Sequence, residues 1–143
     1  MGLTGACASQ EVPTGGPQDL RPPVVVRTDP DTFGALENLG DQVTFHFDER
    51  VSERAAGGDL EDAVSVSPST GDIQVRHGRS SISVEIEGGF QAGLVYRVTL
   101  LPVLSDLFGN QLRDPFELVF STGGEPSPTT LAGEVWDRIT GQG

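Results

Sequence analysis

Five carboxylates fall in two connecting segments of this chain: Asp48, Glu49 and Glu53 in one, Asp106 and Asp114 in the other. Carboxylates gathered from two loops are hard oxygen donors, and about six to eight such oxygens, with backbone carbonyls, suit Ca²⁺. Asp48, Glu49, Asp106 and Asp114 are therefore the candidate metal ligands, and calcium is the one cofactor the sequence suggests. Arg50, Arg54 and Arg113 lie in the same segments. The competing reading is turn capping by Asp106 and solvated ion pairs, each contributing about 0 to 1 kcal/mol. His46 and His77 have no second His, Cys or paired carboxylate at ligand spacing, and read as solvated surface groups. No Ser stands in a G-x-S-x-G turn, and the single cysteine, Cys7, lies near the N-terminus, so acyl transfer has no visible nucleophile and base. Glycoside hydrolysis needs two carboxylates facing across a cleft, and a chain with 21 acids offers such pairs by chance. The expectation is a protein that is not an enzyme.

The elements that must position these residues are short strands. With 19 Gly and 10 Pro in 143 residues and almost no helix-period patterning, the chain reads as strands separated by turns. Val43, Phe45 and Phe47 alternate inward, as do Ile82, Val84 and Ile86, then Tyr96, Val98 and Leu100, then Phe116, Leu118 and Phe120. Strands are expected at 24–28, 43–47, 64–67, 73–76, 81–86, 95–101 and 116–121, which makes a seven-stranded, all-β antiparallel sandwich. Phe33, Leu36 and Leu39 are expected to fold under one end of it, and 52–63 is a loop or a single helical turn interrupted by Gly57 and Gly58. Between the last two strands, Ser105-Asp106-Leu107-Phe108-Gly109-Asn110 supplies a capping carboxylate and residues tolerant of positive φ, so Gly109 and Asn110 are structural candidates. Nine basic residues against 21 acids give a formal charge of −12, which repels phosphate backbones and disfavours nucleic acid. Divalent cations or basic partners are the better charged company.

Several stretches resemble one family. Pro22-Pro23-Val24-Val25, Val43-Thr44-Phe45-His46-Phe47-Asp48-Glu49-Arg50-Val51, Gly93-Leu94-Val95-Tyr96-Arg97-Val98-Thr99-Leu100, Asp106-Leu107-Phe108-Gly109-Asn110-Gln111-Leu112 and Phe116-Glu117-Leu118-Val119-Phe120-Ser121-Thr122 are similar to the bacterial Ig-like domain named for the S-layer protein SbsA. The resemblance spans about residues 22–123 and implies an Ig-like sandwich that acts as a non-catalytic module of surface and envelope proteins. In Ig-type connectivity, the segments carrying the five carboxylates share one end of the sandwich. Tyr96, three residues after Gly93, resembles the tyrosine corner, whose hydroxyl bonds a nearby backbone group.

The flanks suggest a location. Leu3-Thr4-Gly5-Ala6 ahead of Cys7 resembles the end of a bacterial lipoprotein signal, which makes Cys7 the lipidation candidate and 1–7 the residual signal. The other reading is an unmodified thiol. Residues 8–21 are polar and rich in Gly and Pro, and are expected to form a disordered tether. Gly124 to Thr130 reads as a linker, and 131–143 follows the G-x-V-x-D-x-x-T-G pattern of the opening strand of carboxypeptidase-regulatory-like sandwiches. That tail is either the start of a truncated second domain or a segment lying against the first through Val135 and Trp136. The resulting expectation is a spacer or protein-binding module of a bacterial envelope lipoprotein, lipid-anchored or surface-exposed, whose partner is an envelope protein. A ligand-binding sandwich for calcium or glycan is the alternative.

Overall fold

Alternating β-branched and aromatic residues bury one face of each central strand, and the two buried faces meet. The computed structural model describes residues 16–36, 38, 40 and 42–123. Seven strands run in order: β1 (Val25–Asp29), β2 (Val43–Phe47), β3 (Val64–Ser67), β4 (Ile73–His77), β5 (Ser81–Ile86), β6 (Val95–Leu100) and β7 (Phe116–Ser121). They form two antiparallel sheets of order β1-β2-β5-β4 and β3-β6-β7, the two-sheet arrangement of an Ig sandwich. The inward sets Val43/Phe45/Phe47, Ile82/Val84/Ile86 and Tyr96/Val98/Leu100 are all buried, as are Leu118 and Phe120. Phe116 is half-buried and meets Phe45 edge-on at 6.0 Å. A 3₁₀ turn, Leu60–Ala63, leads into β3 just after Gly57 and Gly58; it buries Leu60 and Ala63, and its Asp59 and Asp62 cap each other reciprocally.

The edges depart from simple alternation. Val25 pairs with Phe47 and Arg27 with His46, so Val26 is an extra residue bulged out of β1. That explains why Val26 is exposed within an apolar run, and a bulge on an edge strand also discourages pairing with another chain. The free edge of β7 is filled by the segment after β1. Ser121 donates to Gly34 O at 2.9 Å, Leu36 donates to Ser121 O at 2.8 Å, and Ala35 bridges Ser121 in parallel. Making those bonds turns Phe33 away from the core: its φ is +61° and it is 68% exposed, contrary to the packing expected from its apolarity. Leu36 is buried as expected, while Leu39 lies outside the described residues.

The two ends of the sandwich differ. The β2–β3 and β6–β7 connections lie at the end where the chain enters β1, because Val25 stands opposite Phe47. At the far end, β7 finishes beside the turn from β5 to β6, with Ser121 opposite Val95. There the rings of Phe90, Tyr96 and Phe120 pack together, Phe90 meeting the other two edge-on at 5.0 and 5.3 Å. The buried Tyr96 hydroxyl accepts from Gln91 N–H at 3.0 Å and shares a hydrogen bond with Thr70 Oγ1 at 2.9 Å. It joins the turn before β6 to the turn after β3. Removing that hydroxyl orphans a backbone donor next to packed rings. Tyr96→Phe is expected to cost about 1 to 3 kcal/mol, lowering Tm by roughly 5 to 15 °C in calorimetry; an unchanged Tm would show that the corner holds without it.

Candidate functional site

The end where the chain enters is built around a buried acid. Asp106 is 2% exposed. Its Oδ1 accepts the backbone N–H groups of Phe108 at 2.8 Å and Asn110 at 2.7 Å, and its Oδ2 accepts Asn110 Nδ2 at 2.7 Å. Asp106 N–H in turn donates to Asn110 O at 3.0 Å. A carboxylate that accepts so many bonds closes a tight turn, and Gly109 completes it at a φ of +87°, where a side chain would be strained. Burial by itself raises the Asp106 pKa. The bonds from the Asn110 side chain, then from the Asn110, Phe108 and Gly109 backbones, outweigh it and hold the carboxyl below its usual value.

This turn is stapled to its neighbour. Val51 bridges Asp106, Ser52 donates to Ser105 O at 2.8 Å, and Ala56 donates to Val103 O at 2.8 Å. Val51, Ala55, Leu60, Leu104 and Leu112 are buried beneath these bonds. The incoming chain is fastened too. Asn110 Nδ2 also donates to Asp19 O at 3.1 Å, and Val24 N–H donates to Asp48 Oδ1 at 2.9 Å while Asp48 N–H returns a bond to Val24 O.

Of the carboxylates singled out from the sequence, the fold brings Asp48, Glu49 and Asp106 together. Burial is the first cause of a raised Glu49 pKa; the charges of Asp106, Asp19 and Asp48 come next, together with a side-chain hydrogen bond to Asp106. Asp19 joins the group only because Asn110 holds its carbonyl, 91 residues away, which no local pattern signals. Asp114 lines, with Asp48, a groove of about 500 Å³ whose walls include Pro22, Pro23, Leu112 and Phe116. Glu53 points to His77 instead, at 4.0 Å. Among the described residues, no group of three or more His, Cys, Asp or Glu is placed to hold a metal ion.

Arg50, Arg54 and Arg113, which lie in the same segments as these acids, form no ion pair with them among the described residues. The Arg–carboxylate pairs among the described residues are Arg76–Glu85 at 2.6 Å and Arg97–Glu117 at 3.8 Å, on the strand faces. The two histidines are also more engaged than solvated surface groups. His46 Nε2 lies 2.9 Å from Arg27 Nη2, placed to accept from a guanidinium that can only donate. His77 closes β4, and its Nε2 lies 2.9 Å from Val51 O, tying β4 to the stapled loops. Cys7 and the tail 131–143 lie outside the described residues.

An antiparallel sandwich of this sheet order defines an Ig-type module. The chain belongs to the bacterial Ig-like domain family, whose profile matches residues 19–122. No curated protein matches it.

The two acids predict opposite pH responses. Glu49 has a raised pKa when folded, so its contribution is present at low pH and is lost as pH rises through the folded value. Asp106 has a lowered one, so its contribution is present above the unfolded value and is lost as pH falls through the folded value. Glu49→Gln presents a neutral amide donor toward Asp106 at every pH and removes the repulsion that the ionised carboxylate feels. Thermal melts at pH 7 are expected to show a gain of about 0.5 kcal/mol that disappears near pH 4. Asp106→Asn should lose about 2 to 3 kcal/mol at pH 7, because it presents an amide donor to donors that need an acceptor. Identical melting curves for all three proteins would refute this account of the turn.

Proposed function

We propose that this chain is a non-catalytic spacer and interaction module of a bacterial envelope lipoprotein, anchored through an acyl group on Cys7. The observation that carries the reading is the placement of the chain's two ways out. The polypeptide reaches β1 at the stapled end, beside Asp106 and Asn110, and leaves β7 at the opposite end, beside Leu94 and Val95. β6 and β7 pair over six residues each, about 20 Å at 3.3 Å per residue, so the domain holds the segment before it apart from the segment after it. Segments that entered and left at one end would give a side branch and no spacing.

The small residues ahead of Cys7 support acylation, and the polar, Gly- and Pro-rich stretch after it supplies further distance from the bilayer. No helix among the described residues is long and apolar enough to cross a membrane. The sequence pattern from Leu131 to Gly141 resembles the first strand of a second sandwich.

The test is the mass and partitioning of the protein from membranes of its native host. An acyl modification on the Cys7 peptide, with Cys7→Ala released to the soluble fraction, is the expected result. An unmodified thiol in a soluble wild-type protein would overturn the anchor and leave the spacer geometry standing alone.

A further inference from the structure

The D-x-x-G-N turn specifies residues at 106, 109 and 110, and leaves 107 and 108 free to be polar. The chain nevertheless places Leu107 and Phe108 there, 56% and 65% exposed. Leu20, 73% exposed, comes directly after the carbonyl that Asn110 holds, and so adds a third apolar side chain at the same end. The backbone beneath them is fixed by the three bonds to Asp106 and by the staples to Ser52 and Ala56. A rigidly presented aromatic loses little entropy on binding, which is how anchor residues of protein interfaces work. At the same end Asn110 holds the Asp19 backbone, Asp48 holds Val24, and the charges of Asp19, Asp48 and Asp106 act on Glu49; none of Asp19, Asp48 and Glu49 is in an Arg ion pair among the described residues.

Resting on the reading of this chain as an interaction module, we propose that the loop tip Leu107–Phe108, with Leu20 and the carboxylates of Asp19, Asp48 and Glu49, docks a partner polypeptide whose apolar side chains are flanked by lysines or arginines. Charge complementarity selects that occupant. A second copy of this chain carries the same formal charge of −12 and would be repelled, and anionic lipid headgroups would be repelled likewise. A basic segment would be drawn in by the whole surface, and its cations would pair with the three rim acids, which form no Arg ion pair among the described residues. Apolar contact at Phe108 then supplies affinity, and the rim supplies orientation and rate.

The probe is a synthetic ten-residue peptide alternating Leu and Lys, titrated into the purified, unacylated full chain and followed by amide NMR shifts. Saturable binding is expected, with shifts confined to residues 19–20, 48–49 and 106–110, and at least ten-fold weaker for Phe108→Ser. An alternating Leu–Glu peptide should not bind, and an alternating Ser–Lys peptide should bind at least ten-fold more weakly. The chain contains no lysine, so with the α-amino groups blocked by acetylation carbodiimide coupling reports only lysines of the peptide, and cross-links are expected at Asp19, Asp48 or Glu49. Equal binding of the Ser–Lys peptide, or shifts spread over the surface and unaffected by Phe108→Ser, would reduce the effect to net charge and overturn the proposal. So would Ca²⁺ alone saturating the same residues, or Phe108-dependent binding to phosphatidylcholine vesicles with none to the peptide. The titration needs no acyl group, so a failed anchor at Cys7 and a failed docking surface are separate results.

Discussion

A carboxylate removed from water must be surrounded by donors or give up its charge, and at Asp106 the donors win. Two backbone amides and one side-chain amide reach its oxygens at 2.7 to 2.8 Å, all from the four residues after it. That arrangement does more than finish a hairpin. It orients Asn110 so that its second amide hydrogen catches the incoming chain at Asp19. It sets Ser105 and Asp106 against Val51 and Ser52, so that the longest connections of the sandwich behave as one layer over Leu60, Leu104 and Leu112. The path of the chain into β1 and the presentation of the loop tip both depend on one buried charge being satisfied locally.

The acid also shapes the electrostatics around it. Asp106 keeps its charge because its bonds are internal, and that charge bears on Glu49, whose pKa burial already raises. One site thus stabilises its own carboxylate and burdens its neighbour. The chain's excess acidity is not spread evenly in its effects, because the arginines in these segments form no ion pair with the rim acids among the described residues. A surface in this state is best matched by cations from outside, which joins the local geometry to the formal charge of −12.

The strands were legible because a half-buried sheet writes a period of two into the sequence. Val43/Phe45/Phe47 and Ile82/Val84/Ile86 needed only that rule. The same rule misleads at the edges. The run Val24-Val25-Val26 looks uniformly apolar, yet a bulge exposes Val26, because register there is set by pairing with Phe47 and His46 rather than by burial. Phe33 is exposed because its segment makes backbone bonds to Val119 and Ser121, a long-range requirement invisible in its own neighbourhood. In the site, the turn chemistry of Asp106, Gly109 and Asn110 could be read locally. The arrival of Asp19, the departure of Glu53 to His77 and the shared groove of Asp48 and Asp114 depend on tertiary placement.

The loop end belongs to the rigid body of the sandwich, stapled by the backbone bonds of Ser52, Ala56 and Leu112, the last to Leu104 O. Native-state hydrogen exchange measures this directly at the amides of Ser52, Ala56, Asn110 and Leu112, each of which has a named acceptor. Protection within about tenfold of the β6 and β7 amides is predicted, since opening these bonds would require unpacking the buried Leu104 and Leu112. Exchange at those four amides near the unprotected rate, with β6 and β7 still protected, would mean that the loops open independently, and that neither the fixed path of the chain into β1 nor the preorganised tip exists.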